Sequence, residues 1–369
     1  MKKRWLVFFA IGAVIILLIF LIRYEREPAG QSIIGVTLDL TGKFALYGQW
    51  ADQGIEIARN ELKEKGKNVD LMIEDCQSES NAAVSALQKL ININKIKVVI
   101  GSNTSSSAIM AMAPIVDKNK IILFVTTASS PSIADAGDFI FRNRLSGDKE
   151  VETVVKAAKD RGITQISFAT INNQAGQAYA VFFQKSASSH GLNIVTKEWI
   201  DPTETNLNTY AAKLKNAGTK AVFYAGPVKT GAILMKNCAE IGYRPLWFSI
   251  SPMRSQELFK LAGDVAEGLL IATEFPDTSS RKYKIFNQIY VKKYNAEPTT
   301  FSVNAYDAVK FLVTAIDSVG YNPVKIKNFL YKHTFSGAGG KFVFDKKGEA
   351  VRKVYLMQVK SGKFILVKN

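Results

Sequence analysis

The chain has 369 residues, a formal net charge of +16, and 47% apolar and 22% charged side chains. Single hydrophobic cores stop growing at roughly 250 to 300 residues, so this length sets two lobes as the default. The composition excludes a disordered chain and no short repeat marks a solenoid. The basic excess is scattered in stretches such as "ELKEKGK" and "YVKKYN" instead of forming an aromatic-laced block, which argues against a nucleic-acid partner and for a solvated basic surface near anionic lipid.

The chain opens with "MKKRWLVFFAIGAVIILLIFLIRYEREPAGQS", in which an uninterrupted apolar run of 18 residues follows Lys2, Lys3 and Arg4. That run is near the length that spans a bilayer, and neither a small-x-small cleavage pattern nor a lipid-bearing Cys follows it. Residues 1–30 are therefore expected to be a retained membrane anchor and short linker, tethered by residues 5–22, with the basic start cytoplasmic and the rest outside. The alternative is secretion after signal cleavage near Ala29 or Gly30.

Short β-branched runs then alternate with helical patterns. "SIIGVTLDL" is a strand, and the following helix, near Gly48 to Lys65, lines up Ala51, Ile55, Ala58 and Leu62 on one face. "VDLMIED", a helix with Val84, Leu87 and Ile91 inward, "VVIGS", a helix opened by Thr104 to Ser107, and "IILFVT" continue a βαβαβαβ series. This is the signature of a parallel sheet covered on both faces. A second series begins after "FIFRNR". It runs through a helix from about Asp148 to Arg161, "QISFATI", a helix around Tyr179 to Ser189, "NIVTKEW", a helix around Leu207 to Ala217, "AVFYAG", the helix carrying Cys238, "PLWFSI" and "GLLIATEF". Helices at Arg281 to Tyr294 and Ser302 to Ser318 precede "KFVFD" and a C-terminal hairpin around Ser361, Gly362 and Lys363. Two such series imply two lobes whose strand carboxyl ends face a crevice, where ligands of open α/β sheets bind.

Catalytic signals are lacking. His190 precedes Gly191 at a helix end, where dipole and cap explain it, and His333 has no adjacent nucleophile. No G-x-S-x-G, P-loop or H-E-x-x-H occurs, and "SGAGG" reads as a turn, so no enzyme, no cofactor and no metal are expected. Cys76 and Cys238 are the only cysteines and read as buried small hydrophobes.

Hydroxyls stand out instead. One Ser or Thr suffices to cap a helix, yet Thr104, Ser105, Ser106 and Ser107 follow one strand, and Thr126, Thr127, Ser129 and Ser130 follow the next. Capping and turn chemistry account for either loop alone. Side by side in a noncatalytic two-lobed frame, they could hold the two oxygens of one carboxylate at a helix N-terminus.

The stretches "IGVTLDLTGKFALYGQ", "IEDCQSESNAAVSALQKLI", "VVIGSNTSSS", "LFVTTASSP", "FIFRN", "LAGDVAEGLLIATEFP" and "AYDAVKFLVTAI", in that order, resemble the type I periplasmic solute-binding proteins, in the leucine/isoleucine/valine branch that feeds ABC importers. The resemblance runs from about Ile33 to the C-terminus. It implies a Venus-flytrap fold with three crossovers, near Leu145, Phe275 and Ser336, giving an N-terminal lobe of residues 31–145 plus 276–335 and a C-terminal lobe of 146–275 plus 336–369. Ser105 matches the serine that binds the ligand carboxylate, and Ala128 and Ser130 match a backbone carbonyl position and a hydroxyl position completing that site. Tyr47 and Phe301 match aromatics against the ligand. Thr104, Ser106 and Ser129 accompany them in the two hydroxyl loops. Three positions depart from the family pattern: Ala175 and Pro227 replace aromatics, and Ser251 replaces a glutamate that holds an ammonium group. Cys76 aligns with neither of the paired cysteines some members have. The resemblance implies a receptor for a small-molecule solute, working with an ABC permease; with the apolar run it is expected to be membrane-tethered and monomeric. A membrane-tethered ligand sensor is the alternative.

Overall fold

The computed structural model describes residues 32–103, 105–274 and 278–367; the expected anchor lies outside them. In chain order the first series is β1 (Ser32–Leu38), α1 (Ala45–Glu64), β2 (Val69–Asp75), α2 (Ser80–Asn92), β3 (Val98–Ser102), α3 (Ser106–Asn119), β4 (Ile122–Val125) and β5 (Ile140–Arg142). All neighbours in this sheet pair in parallel, in the order β2-β1-β3-β4-β5. β3 and β4 are buried along their whole length, which is why they read as unbroken apolar runs.

The second series follows with α4 (Gly147–Asp160), β6 (Gln165–Ile171), α5 (Gln174–Ser189), β7 (Asn193–Ile200), α6 (Asn208–Asn216), β8 (Ala221–Ala225), α7 (Val228–Glu240), β9 (Leu246–Ile250), α8 (Gln256–Ala262) and β10 (Leu270–Glu274). Then come α9 (Arg281–Tyr294), α10 (Thr300–Val319), α11 (Pro323–Lys332), β11 (Phe335–Gly337), β12 (Gly340–Phe342), β13 (Val354–Lys360) and β14 (Lys363–Leu366). The second sheet is ordered β14-β13-β10-β9-β8-β6-β7. β13 joins β10 antiparallel, so the C-terminal hairpin extends an otherwise parallel sheet.

α9, α10 and α11 return to the first lobe. Phe286, Tyr306, Leu312 and Leu330 share its core with Ile34, Val99 and Phe124. α10 packs closely on α1, and Gly54 permits this: a Cβ there would stand 2.0 Å from the Ser302 carbonyl oxygen. α11, which periodicity had not separated from its surroundings, has its own start signal. The Asn322 side chain accepts from Val324 and Lys325 N–H, and Pro323 stands at the first helical position.

The crossover expected near Ser336 is corrected. Phe335, Ala338, Phe342, Phe344 and Ala350 all lie in the first core, and Arg142 N–H donates to the Gly348 carbonyl at 2.8 Å. β11 and β12 form a small hairpin over that core, so the chain leaves the first lobe only between Ala350 and Val354. The "KFVFD" segment belongs to this hairpin and its exit. The crossover expected near Phe275 falls on residues outside those described.

The three crossings meet at one buried carboxylate. Glu274, at the end of β10, accepts from Leu145 N–H at 3.2 Å on the first crossing and from Asn304 Nδ2 at 2.7 Å on α10. It also pairs with Arg144 at 3.4 Å and with Arg352, on the third crossing, at 3.8 Å. Cys76 and Cys238 are free, buried, and in separate cores; burial pushes each thiol up to about 12.

Candidate ligand-binding cleft

The carboxyl ends of β3 and β4 from the first lobe, and of β6, β8 and β9 from the second, converge on one cavity between the lobes. The first lobe contributes Phe44 and Tyr47 from the start of α1, Phe301 from the start of α10, and hydroxyls from both loops. The second lobe contributes Ile171, Asn173, Ala175, Tyr179, Pro227 and Pro252. Arg144, on the first crossing, lies where the two walls meet.

The hydroxyls divide into those that build the wall and those that face the cavity. Ser102 Oγ and Thr126 Oγ1 are 2.6 Å apart, and Thr127 Oγ1 donates to the Asn103 carbonyl at 2.5 Å. Ser106 Oγ accepts from Ser130 N–H at 3.3 Å. These bonds fasten the loop after β3 to the loop after β4. Arg142 braces the second loop from behind, donating to the carbonyls of Ala128 at 3.3 Å and Ser130 at 2.8 Å while Glu349 holds its guanidinium. Ser105 is the N-cap of α3, but its Oγ accepts from Ala108 N–H only at 3.4 Å, a weak cap. Ser105, Ser106, Ser107, Thr127 and Ser129 line the cavity.

Aromatic rings form the floor. Tyr47 and Phe301 have centroids 4.9 Å apart, with Trp50 behind them at 5.3 Å from Tyr47. Two contacts close the cleft across the lobes. Val228 N–H, in the first turn of α7, donates to Tyr47 Oη at 2.7 Å, and Ser129 Oγ lies 2.6 Å from Tyr179 Oη. Pro227, the residue before α7, offers neither an N–H nor a capping side chain, so Tyr47 satisfies a helix-end amide of the opposite lobe. Burial pushes the Tyr47 and Tyr179 phenols above their ordinary range and keeps both protonated.

Of the residues singled out from sequence, Tyr47, Ser105, Ser106, Ser129, Ala175, Pro227 and Phe301 line one cavity. Thr104 lies outside the described residues. Ala128 and Ser130 stand one layer back: the Ala128 carbonyl is taken by Arg142, and Ser130 Oγ faces Ser132 Oγ at 2.8 Å. Ser251 is corrected. It is buried behind the wall, where its Oγ donates to Glu150 and lies 2.8 Å from Thr273 Oγ1. Its neighbour Pro252 reaches the cavity instead.

Sequence reasoning missed Arg144, Asn173 and Tyr179. Arg144 is 1% exposed and donates through Nη2 to both Glu150 oxygens at 3.2 Å. Burial opposes its charge, but Glu150 and Glu274 outweigh it and raise its pKa. Glu150 itself is raised, by burial first, with Arg144 and Ser251 opposing. Asn173 N-caps α5 by accepting from Gly176 N–H at 2.9 Å, a start signal visible in "NNQAG". Arg144 had a weaker signal, as a second arginine in "FRNR" directly after a buried strand.

Two lobes built on largely parallel sheets and joined by three crossings, with strand carboxyl ends facing one shared cavity, define a cleft-binding protein. The chain belongs to the periplasmic binding protein family, whose model matches residues 33–363. It is 24% identical over 320 residues to a leucine-, isoleucine-, valine-, threonine- and alanine-binding protein of Pseudomonas aeruginosa, covering 84% of each chain. It is 25% identical over 336 residues to a Leu/Ile/Val-binding protein homologue of Brucella abortus, covering 88% of this chain and 89% of the relative. Its fold is similar to that of a leucine binding protein from Thermotoga maritima, with TM-score 0.84, 24% identity, and 91% and 98% of the two chains covered. A solute binding protein from R. palustris solved with benzoate also superposes with TM-score 0.84, at 18% identity over 92% of this chain and 96% of that one.

Proposed function

We propose that the chain is an extracytoplasmic solute-binding receptor that delivers a small carboxylate or amide solute, within the range from branched-chain amino acids to other small acids, to an ABC permease. The observation that carries this reading is the pair of fastened hydroxyl loops, at the carboxyl ends of β3 and β4, presenting Ser105, Ser107 and Ser129 to a cavity closed by the second lobe. Such hydroxyls, beside the N-terminus of α3, stabilise a carboxylate without a catalytic group. In this reading Tyr47 and Phe301 pack on the solute, and Ala175 and Pro227 leave room where a larger side chain would fill the wall. A relative named for binding leucine, isoleucine and valine, and a structural neighbour solved with benzoate, support a solute in this range.

The basic start and the 18-residue apolar run add a membrane tether to the reading, with the lobes outside. No helix among the described residues is long and apolar enough to cross a membrane, so the tether rests on sequence alone. Mass spectrometry of the solute that copurifies, followed by its calorimetric titration, tests the receptor reading; consumption of that solute on incubation would overturn it. Intact mass of membrane-extracted protein tests the tether, and a soluble product starting near Gln31 would remove it.

A further inference from the structure

The charge inventory of the cleft points to a narrower class of solute. Among the described residues that line it, the single charged side chain is Arg144. The carboxylates nearest to it are committed to it and to the crossings: both Glu150 oxygens accept from Arg144 Nη2, Ser251 adds a bond to Glu150 from behind, and Glu274 pairs with Arg144 while accepting from Leu145 and Asn304, so the guanidinium charge is compensated inside the protein. Arg144 Nε is buried without a hydrogen-bond partner, which adds to the surplus of donors on this side. The facing wall offers mostly carbon, from Ile171, Ala175, Ala225, Pro227, Ile250 and Pro252, while the Asn173 Oδ1 is taken by Gly176 N–H and the Tyr179 phenol by Ser129.

An ammonium group enclosed here would meet hydroxyls and apolar side chains, with no uncommitted carboxylate among the described lining residues. Burying an unpaired cation costs far more than hydroxyls and carbonyls return. A carboxylate meets the opposite case, since the hydroxyls and the first turn of α3 favour negative charge. Resting on the reading of this cleft as the solute site, we infer that it selects monocarboxylates with an uncharged apolar tail, such as branched aliphatic, aromatic or 2-oxo acids, and rejects α-amino acids. The selection rests on the lining having no uncommitted carboxylate among its described residues, Glu150 and Glu274 being held by Arg144 behind the wall.

The test titrates the full chain, stripped of copurified solute, with leucine, 4-methyl-2-oxopentanoate, 4-methylpentanoate, benzoate and 3-methylbutylamine. The first three share one branched carbon skeleton, so the comparison isolates the ammonium. At least one of the three acids is expected to bind 100-fold or more tightly than leucine, with no thermal shift from the amine. Leucine binding as tightly as the best acid overturns the selection while leaving the receptor reading intact. Binding of the amine, or of nothing in the panel, overturns it too. The receptor reading fails separately, if no solute copurifies and Ser105→Ala changes the binding of none of these compounds.

Discussion

The phenol of Tyr47, on the first lobe, accepts a hydrogen bond from the backbone N–H of Val228, on the second, at 2.7 Å across the cleft. This contact exists only when the lobes are together, because the donor belongs to the first turn of α7 and the acceptor to the first turns of α1. It is therefore a latch. Removing it leaves a buried helix-end amide unpaired in the closed state alone, while in the open state water satisfies it.

Tyr47→Phe is accordingly expected to shift the unliganded protein toward the open form and to weaken solute binding about three- to tenfold, since apparent affinity scales with the fraction of competent molecules. Small-angle scattering should give a larger radius of gyration for the unliganded variant than for wild type. Equal radii and equal affinities would show that the latch does not bias closure.

Ser105 and Ser107 separate capping from binding. Losing a hydrogen bond to a charged ligand group costs roughly 1.5 to 3 kcal/mol, so Ser105→Ala should weaken carboxylate binding about ten- to hundredfold. The cap it also loses is weak at 3.4 Å, and the melting temperature should fall only slightly. Ser107→Ala should cost less affinity. Calorimetry on both variants checks the ranking, and equal losses would refute it.

Glu274 ties the three crossings, and truncating it removes the carboxylate from Arg352 in the interior and leaves Arg144 with Glu150 alone. Breaking a buried ion pair by removing one partner costs about 3 to 5 kcal/mol, so Glu274→Ala is expected to lower stability by that amount in denaturant unfolding. Glu274→Gln keeps the acceptor for Leu145 and should recover part of the loss.

Glu150 adds a pH signature. Its pKa in the folded protein is raised, chiefly by burial, so between the ordinary carboxylate value and the raised one the folded state holds more protons than the unfolded state. The contribution of Glu150 to stability therefore falls as pH rises through that window. In Glu150→Gln this fall is absent, and the melting temperature of the variant relative to wild type should climb as pH increases from about 4. A difference that stays flat with pH would show that Glu150 titrates normally.

What is expressed locally was largely legible, for a physical reason. Strand and helix periods show themselves within a few residues, so the two parallel series and the cluster of hydroxyls after β3 stand out in the chain itself, although the cap at Asn173, equally local, was passed over. The C-terminal hairpin is equally local, with Ser361 and Gly362 at positive φ forming its turn. The crossover expected near Ser336 came from the resemblance, and a three-residue strand in "TFSGAGG" carries no local mark of the lobe it covers.

The cavity, in contrast, was decided by contacts between distant segments. Glu274 and Arg144 are 130 positions apart, Ser251 and Glu150 are 101 apart, and Val228 and Tyr47 are 181 apart. Whether Ser251 or Pro252 faces solute depends on how β9 sits beside Glu150, and whether Arg144 faces the cleft depends on which carboxylates neutralise it. Sequence determined that hydroxyls and aromatics gather at strand ends. Only the packing of two lobes around one buried charge cluster decided which of them meet, because side-chain direction at a lobe boundary is set by electrostatic pairing across it, not by the period of either strand.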